Sequence, residues 1–352
     1  MMKKSGRILI LLLLLLSVAG CAGQVEHENG SAGISPEKPT AETAVLEEAT
    51  AVPDETTAET VETAGFPIAY TDATGHESVI TERPQRVAVL FSSYAEIWQL
   101  AGGTVDITVG DSVSRGFAGE DAILCGEGAG LRLDLEQLVA AEPDLVIGTA
   151  DLSAQVEAVE MMREEGVNGL LLREETFDDY LGILELFCRI LGNGQAYIEN
   201  GTAVGGQIDT LLETVDAEER EPVTYLLIRA GSGFASTSIK TEENHVACAM
   251  LTRLGAENVA TEDGIKVGEL SVEALLMMNP DVIFVVPQGD EAESRAFTES
   301  LFKEDGWCEL DAVKEGRIHY LPKDLYGYKP NARWAEAYRY LDALLYPGEA
   351  AN

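Results

Sequence analysis

From Phe66 onward, short apolar runs alternate with amphipathic stretches. Arg86-Val-Ala-Val-Leu-Phe91, Ile107–Gly110, Leu145–Gly148 and Gly169–Leu172 have strand length and end in turn residues, which predicts buried strands. Between them the period lengthens to that of a helix. Ile97, Leu100 and Ala101 share one helical face that stops at Gly102-Gly103. Tyr180, Ile183, Leu184, Phe187 and Leu191 line one face of a helix predicted over Thr176 to Leu191. Phe66–Tyr70 and Glu77–Ile80 flank Asp72-Ala-Thr-Gly75 and read as a hairpin at the start of the fold. A second helical stretch follows Gly192-Asn193-Gly194 and runs to about Val215. The recipe then restarts with a strand at Val223–Ile228 and a helix at His245–Leu254. A strand at Val282–Val286, a helix at about Ser294–Lys303, a strand at Ile318–Leu321 and a closing helix at Asn331–Tyr346 complete it. Such alternation implies parallel pairing through right-handed crossovers, hence an α/β protein.

One segment occurs twice without a gap. Leu133-Asp-Leu-Glu-Gln-Leu-Val-Ala-Ala-Glu-Pro-Asp-Leu-Val-Ile147 reappears as Leu270-Ser-Val-Glu-Ala-Leu-Leu-Met-Met-Asn-Pro-Asp-Val-Ile-Phe284. Leu133, Glu136, Leu138, Pro143 and Asp144 fall on Leu270, Glu273, Leu275, Pro280 and Asp281. Each copy reads as a short helix opened by an N-cap (Asp134, Ser271), stopped before Pro-Asp and followed by a buried strand. A solenoid needs several repeats at short period, so a single distant duplicate points instead to two Rossmann-like α/β lobes in tandem. The boundaries expected are a first lobe over 66–191, a linker helix over 192–221 and a second lobe over 222–352. A helical crossing with no loop-like hinge predicts a stiff connector and small lobe motion.

The N-terminus changes the picture. Lys3, Lys4 and Arg7 precede an apolar run from Ile8 to Leu16, too short for the roughly 20 residues that span a bilayer core. With the small residues that follow, segment 1–20 reads as a secretory signal. Val18-Ala19-Gly20-Cys21 resembles a bacterial lipoprotein lipobox, which implies cleavage before Cys21 and a lipid on its sulfur. Two or more acyl signals are what stable anchoring takes. Residues 22–65 hold no Phe, Trp or Tyr, ten acidic residues and one lysine, so 21–65 is expected to be a disordered, self-repelling tether.

The chain's formal charge of −37 disfavours nucleic acid and anionic lipid surfaces as partners, and cleavage of the signal would deepen it. The acidity calls for cations or a locally basic docking partner. Cys125, Cys188, Cys248 and Cys308 form no C-x-x-C pair, which argues against a zinc ribbon or a thioredoxin-like site. Their spacing leaves bridging open, and their apolar neighbours predict buried free thiols as readily as disulfides.

Taken together, the folded part resembles the helix-linked, class III substrate-binding lipoproteins of ABC importers for iron–siderophores, haem and cobalamin. The markers are Tyr70-Thr-Asp-Ala-Thr-Gly75, Arg83-Pro-Gln-Arg-Val-Ala-Val89, the duplicated Glu…Pro-Asp segment, Gly255-Ala-Glu-Asn-Val259 and Ala312-Val-Lys-Glu-Gly-Arg-Ile-His-Tyr-Leu-Pro322. They run in order over about Phe66 to Pro347. The resemblance implies two α/β lobes joined by a long helix, with a ligand cleft between them and no permanently bound cofactor. It also implies a monomer that delivers its ligand to a permease dimer with ATPase subunits. In that family the repeat glutamates dock into permease arginines, a role that passes here to Glu136 and Glu273. Both also sit at the second helical position, where a carboxylate is favoured by the helix N-terminus in any case.

Ligands of open α/β sheets sit beyond the carboxyl ends of strands. Those ends place Tyr94 and Arg115 in the first lobe and Arg229, Tyr326 and Tyr328 in the second as candidate ligand-binding residues. Tyrosine and arginine suit a ferric siderophore, whose oxygens accept hydrogen bonds and whose charge Arg offsets. Gly231-Ser-Gly233, just past Arg229, is expected to let backbone approach the ligand. Haem is a second option, with His245 or a cleft tyrosine as axial ligand. Free zinc or manganese fits poorly, because His27, His76, His245 and His319 are not spaced to bind together. Catalysis finds no G-x-S-x-G, H-E-x-x-H or P-loop, and Gly126-Glu-Gly-Ala-Gly130 follows no strand directly.

Overall fold

The structure, a computed structural model, describes residues 65–217 and 220–347. The signal segment 1–20, Cys21 and nearly all of the tether 21–65 lie outside the described residues.

The fold begins with an antiparallel hairpin, β1 (Ile68–Thr71) and β2 (Glu77–Ile80). The first lobe then builds a parallel sheet from β3 (Val87–Val89), β4 (Ile107–Thr108), β5 (Ile123–Leu124), β6 (Leu145–Thr149) and β7 (Asn168–Leu172). Its order is β5-β4-β3-β6-β7. Alternate residues enter opposite cores: Val87, Val89, Leu145, Ile147, Leu170 and Leu172 on one face, Ala88, Val146 and Leu171 on the other. A parallel sheet covered on both faces needs continuous apolar strands, which is why these segments read as runs.

The second lobe contains β8 (Thr224–Ala230), β9 (Ser238–Lys240), β10 (Glu257–Asn258), β11 (Val282–Pro287) and β12 (Ile318–Tyr320). The parallel order is β10-β8-β11-β12, and β9 pairs antiparallel with β8. β9 is thus the one antiparallel partner that the strand–helix alternation does not announce in this sheet. A tight reversal carries the chain back along β8, held by the Gly231 amide donating to the Ser236 carbonyl at 3.1 Å.

The connector is a helix over Gly194–Tyr197, a π turn at Ile198–Thr202 and a helix over Ala203–Ala217 in direct succession. Gly192 ends the preceding helix in the left-handed conformation (φ 68°), and Asn193 caps the next. One hydrophobic core passes from the first sheet through Ile208 and Leu212 to Tyr225, Phe284 and the closing helix Trp334–Leu345. The lobes are thus joined by shared packing as well as by the helix.

Asp72 explains the Tyr70–Gly75 marker. Its Oδ1 accepts from the Thr74 amide (2.9 Å), Thr74 hydroxyl (2.6 Å) and His76 amide (3.1 Å), closing the hairpin turn. Its Oδ2 accepts from the Leu171 amide at 3.1 Å and from Arg163, tying the hairpin to β7. Burial would raise this carboxyl, but the hydrogen bonds from Thr74, Arg163 and Leu171 outweigh it and hold the pKa at about 2.

The two repeats fold alike. Asp134 accepts from the Gln137 amide and Ser271 from the Ala274 amide, so each caps its helix (Leu135–Ala140, Val272–Met278). The matched residues Glu142 (φ 49°) and Asn279 (φ 28°) turn left-handed before proline. Asp144 then accepts from the Gln85 and Arg86 amides at 2.7 and 3.0 Å. Asp281 accepts from the Thr224 amide and hydroxyl at 2.9 and 2.6 Å. Each aspartate thereby fixes the start of its lobe's first strand. Cys125, Cys188 and Cys248 are buried free thiols, whereas Cys308 is free and exposed.

Candidate ligand-binding site

The carboxyl ends of the strands from both lobes converge. After β3, Ser92, Ser93 and Tyr94 open the helix Ser92–Leu100 instead of forming a loop. Tyr94 is buried, with its ring edge-on to Phe91 at 5.0 Å. After β4, the short helix Gly110–Ser114 ends on Arg115. Arg115 donates to the Ser92 hydroxyl at 2.8 Å and stands 3.7 Å from the Glu96 carboxylate. Its guanidinium lies 4.6 Å over the Phe117 ring and 3.9 Å over the ring of Tyr328, from the opposite lobe. Two residues expected at the site from different lobes are thus brought together.

The segment 328–334 supplies the second lobe's side of the junction. Lys329 pairs with Glu175 at 3.0 Å. The Asn331 amide group donates to the Ser93 carbonyl (3.0 Å) and to Glu96 (2.7 Å). Trp334 is buried edge-on to Phe177 at 5.8 Å. Arg229, near the end of β8, is half-buried; burial lowers its pKa, and the nearby Glu175 partly offsets this. No ion pair of Arg229 occurs among the described residues. Burial also holds His245 well below the usual histidine range, and Arg229, Lys329 and Lys240 push it the same way, so the imidazole is neutral. Its Nδ1 accepts from the Ala247 amide at 3.2 Å, the N-cap of the helix Val246–Arg253.

Two acids that the sequence reading passed over stand at the end of β7. Glu174 is 0 % exposed, and both of its carboxyl oxygens lack hydrogen-bond partners. Burial pushes its pKa up to about 8; Lys329 opposes this, while Glu175, Glu96 and Asp179 add to it. The strand-end rule applies equally to Arg173-Glu174-Glu175, directly after Leu172, but acids are so common in this chain that no composition signal singles them out.

Tyr326 is not brought to the junction. The one-turn helix Lys323–Tyr326 tucks it against the closing helix, where it is 2 % exposed and its hydroxyl donates to the Ala337 carbonyl at 2.7 Å. Gly231 also has a different reason from the expected one. A Cβ there would meet the Ser236 Oγ at 2.3 Å, so the reversal into β9 requires the glycine.

On the outer surfaces, Glu136 and Glu273 are both exposed at the second position of matched helices. One turn on, Val139 (44 %) and Leu276 (41 %) are exposed at matched positions, beside Met277 at 87 %.

Residues 87–325 match the family described as Periplasmic binding protein. YvrC of Bacillus subtilis, an uncharacterized ABC transporter substrate-binding lipoprotein, is 22 % identical over 290 residues, covering 80 % of this chain and 86 % of YvrC. Among solved structures, the periplasmic heme-binding protein RhuT from Roseiflexus shares the fold (TM-score 0.61, 22 % identity, 75 % of this chain and 98 % of RhuT). Staphylococcus aureus SirA, complexed with staphyloferrin B, does so too (TM-score 0.60, 18 % identity, 80 % of this chain and 97 % of SirA). The matched region takes in the main sheets of both lobes and the connector, and the chain therefore belongs to the periplasmic binding protein family, as a two-lobe binding protein and not an enzyme.

Proposed function

We propose that this protein captures an iron complex, a ferric siderophore, outside the cytoplasm and hands it to the permease of an ABC importer. One observation carries the reading: in a chain of formal charge −37, Arg115 from one lobe is stacked on Tyr328 from the other, and Arg229 and Lys329 stand at that second lobe's strand ends, both near Glu175. Local cations in an acidic protein select an anionic or oxygen-rich cargo, and planar guanidinium groups suit its oxygens. Arg115, Arg229 and Tyr328 would contact it, whereas Tyr94, buried edge-on to Phe91, would not. The likeness to SirA agrees with this chemistry. Haem is the second reading, supported by the neutral His245 beside Arg229 and by the likeness to RhuT. Cobalamin remains a third cargo of the same importer class. Absorbance after incubation with each ligand separates them, because haem, corrinoid and ferric siderophore have distinct visible bands. A Soret band alone would overturn the siderophore assignment.

Glu136 and Glu273 would dock into permease arginines, each flanked by an exposed apolar side chain at the same repeat position. Alanine at both should leave cargo affinity unchanged and abolish stimulation of the importer's ATPase. Cys21 would carry the lipid anchor. Cys21→Ala should release the protein from membranes, and retention after a high-salt wash would contradict this.

A further inference from the structure

Buried side-chain polar atoms without a partner are concentrated in one place. Among the described residues they fall, apart from Arg317, on Ser93, Ser112, Glu174, Glu175, Asn331 and Trp334. Ser93, Ser112, Glu174 and Glu175 stand at strand carboxyl ends of the first lobe. Asn331 and Trp334 belong to the segment that faces them. Leaving a buried donor or acceptor unmade costs about 1–3 kcal/mol, so folds seldom gather such groups without use. Glu174 is the extreme case, wholly buried with two unsatisfied oxygens. Its position at the end of β7, within the electrostatic reach of Lys329 from the other lobe, puts it at the junction and not in a remote core.

We infer that Glu174, assisted by Glu175, is a recognition residue for amide groups of the cargo, and that the cargo is an amide-bearing metal complex. This rests on the reading that the junction takes a metal complex. At neutral pH the buried acid keeps its proton, since its pKa stands at about 8. A protonated carboxyl offers one O–H donor beside its acceptor lone pairs. That is the complement of an amide, which presents an N–H and a carbonyl oxygen. Haem and ferric polycarboxylates offer no N–H at their polar edge and leave the acceptor side of Glu174 unmet. Discrimination of this kind is strong, because a buried site built for a hydrogen bond penalises a ligand that lacks it. Arg229 has no ion pair among the described residues and would take the metal-binding oxygens, while Arg115 and Lys329 already face Glu96 and Glu175, so the two recognition tasks fall on different residues.

The test is calorimetric titration of the full protein with ferrioxamine B, ferrichrome and cyanocobalamin, all amide-bearing, and with haemin and ferric citrate. The wild type should bind at least one amide-bearing complex more tightly than either of the others. Glu174→Leu should weaken that binding roughly ten- to a hundredfold. Glu174→Gln, which keeps both a donor and an acceptor, should stay within a few-fold of wild type. Thermal melts separate recognition from folding. Removing an unpartnered buried carboxyl should leave Glu174→Leu at least as stable as wild type, whereas a merely structural acid would lose stability with binding. Unchanged affinity in Glu174→Leu, or a wild type that prefers ferric citrate, overturns this inference alone, whereas a preference for haemin overturns it together with the siderophore assignment. A wild type that binds none of the five overturns the function on which it rests, and the inference with it.

Discussion

At their repeat turns the two lobes are superposable in design: a capped short helix, a left-handed residue at Glu142 or Asn279, a proline, and an aspartate clamping the first strand. At the strand carboxyl ends they part company. The first lobe brings Arg115, Ser93, Glu174 and Glu175, while the second brings Arg229, His245, Tyr328 and Lys329. The contrast fits a division of labour in which both lobes present the same outward contact to one partner. The junction, by contrast, is asymmetric, as the proposed binding of a single cargo between the lobes would allow. The lobes differ once more at the entrance to the fold, where the first carries the Asp72-anchored hairpin on β7 and the second has the antiparallel β9 on β8.

The largest effect is expected at the feature that only the first lobe has. Asp72→Ala leaves Arg163 without its buried partner, and breaking such a pair costs about 3–5 kcal/mol. Urea denaturation should show a loss of this order. A loss under about 1 kcal/mol would mean the hairpin contributes little to the lobe, since even an ordinary hydrogen bond is worth about that much. The same carboxyl sets an acid limit. Its pKa lies near 2 against an ordinary 3.8, so the stability it supplies is complete above that ordinary value and drains away as pH falls towards 2.

The junction comes next. Arg229→Ala should weaken cargo binding roughly ten- to a hundredfold, the weight of a charge-assisted hydrogen bond of about 1.5–3 kcal/mol. Arg115→Ala should do likewise and also loosen Tyr328. Circular dichroism should stay native for both, as neither arginine supports a core. Smaller and deliberately equal effects are expected at the repeats. Asp144→Ala and Asp281→Ala each remove two hydrogen bonds to a strand start, for about 1–2 kcal/mol apiece. Losses that differ several-fold between the lobes would show that the matched turns are not matched in energy.

At neutral pH and below, the smallest effect is a pH dependence, which grows only as the solution turns alkaline. Glu174 is raised from 4.5 to about 8, so its contribution to stability is complete below the lower value and is lost progressively as pH climbs to the upper one. Glu174→Gln has no proton to lose and should gain steadily on the wild type across that window, as read by Tm. A mutant offset independent of pH would place Glu174 in contact with solvent.

Most of this architecture was legible because its signals are local. The Glu…Pro-Asp duplicate, the N-caps Asp134 and Ser271, and the apolar runs at Leu145 and Val282 each report a nearby constraint. β9 was not legible, since Ser238-Ile-Lys240 has three residues and is a strand only because β8 lies alongside. The site was half visible. Strand ends identified Arg115 and Tyr328, which do meet, but the same rule admitted Tyr326, whose hydroxyl serves the closing helix. The rule could not separate them because the direction of a side chain after a strand depends on the turn that follows. Glu174 escaped notice for a different reason: its significance is burial without partners, a property of the assembled junction and not of the residue.

The most direct measurement is a visible absorbance spectrum of the protein after incubation with a panel of ferric siderophores and removal of free ligand by gel filtration. The wild type should retain an equimolar ferric band, and the Arg115→Ala/Arg229→Ala double mutant should lose it while keeping a native circular dichroism spectrum. A double mutant that retains the full band would contradict a cargo site built on the two arginines between the lobes.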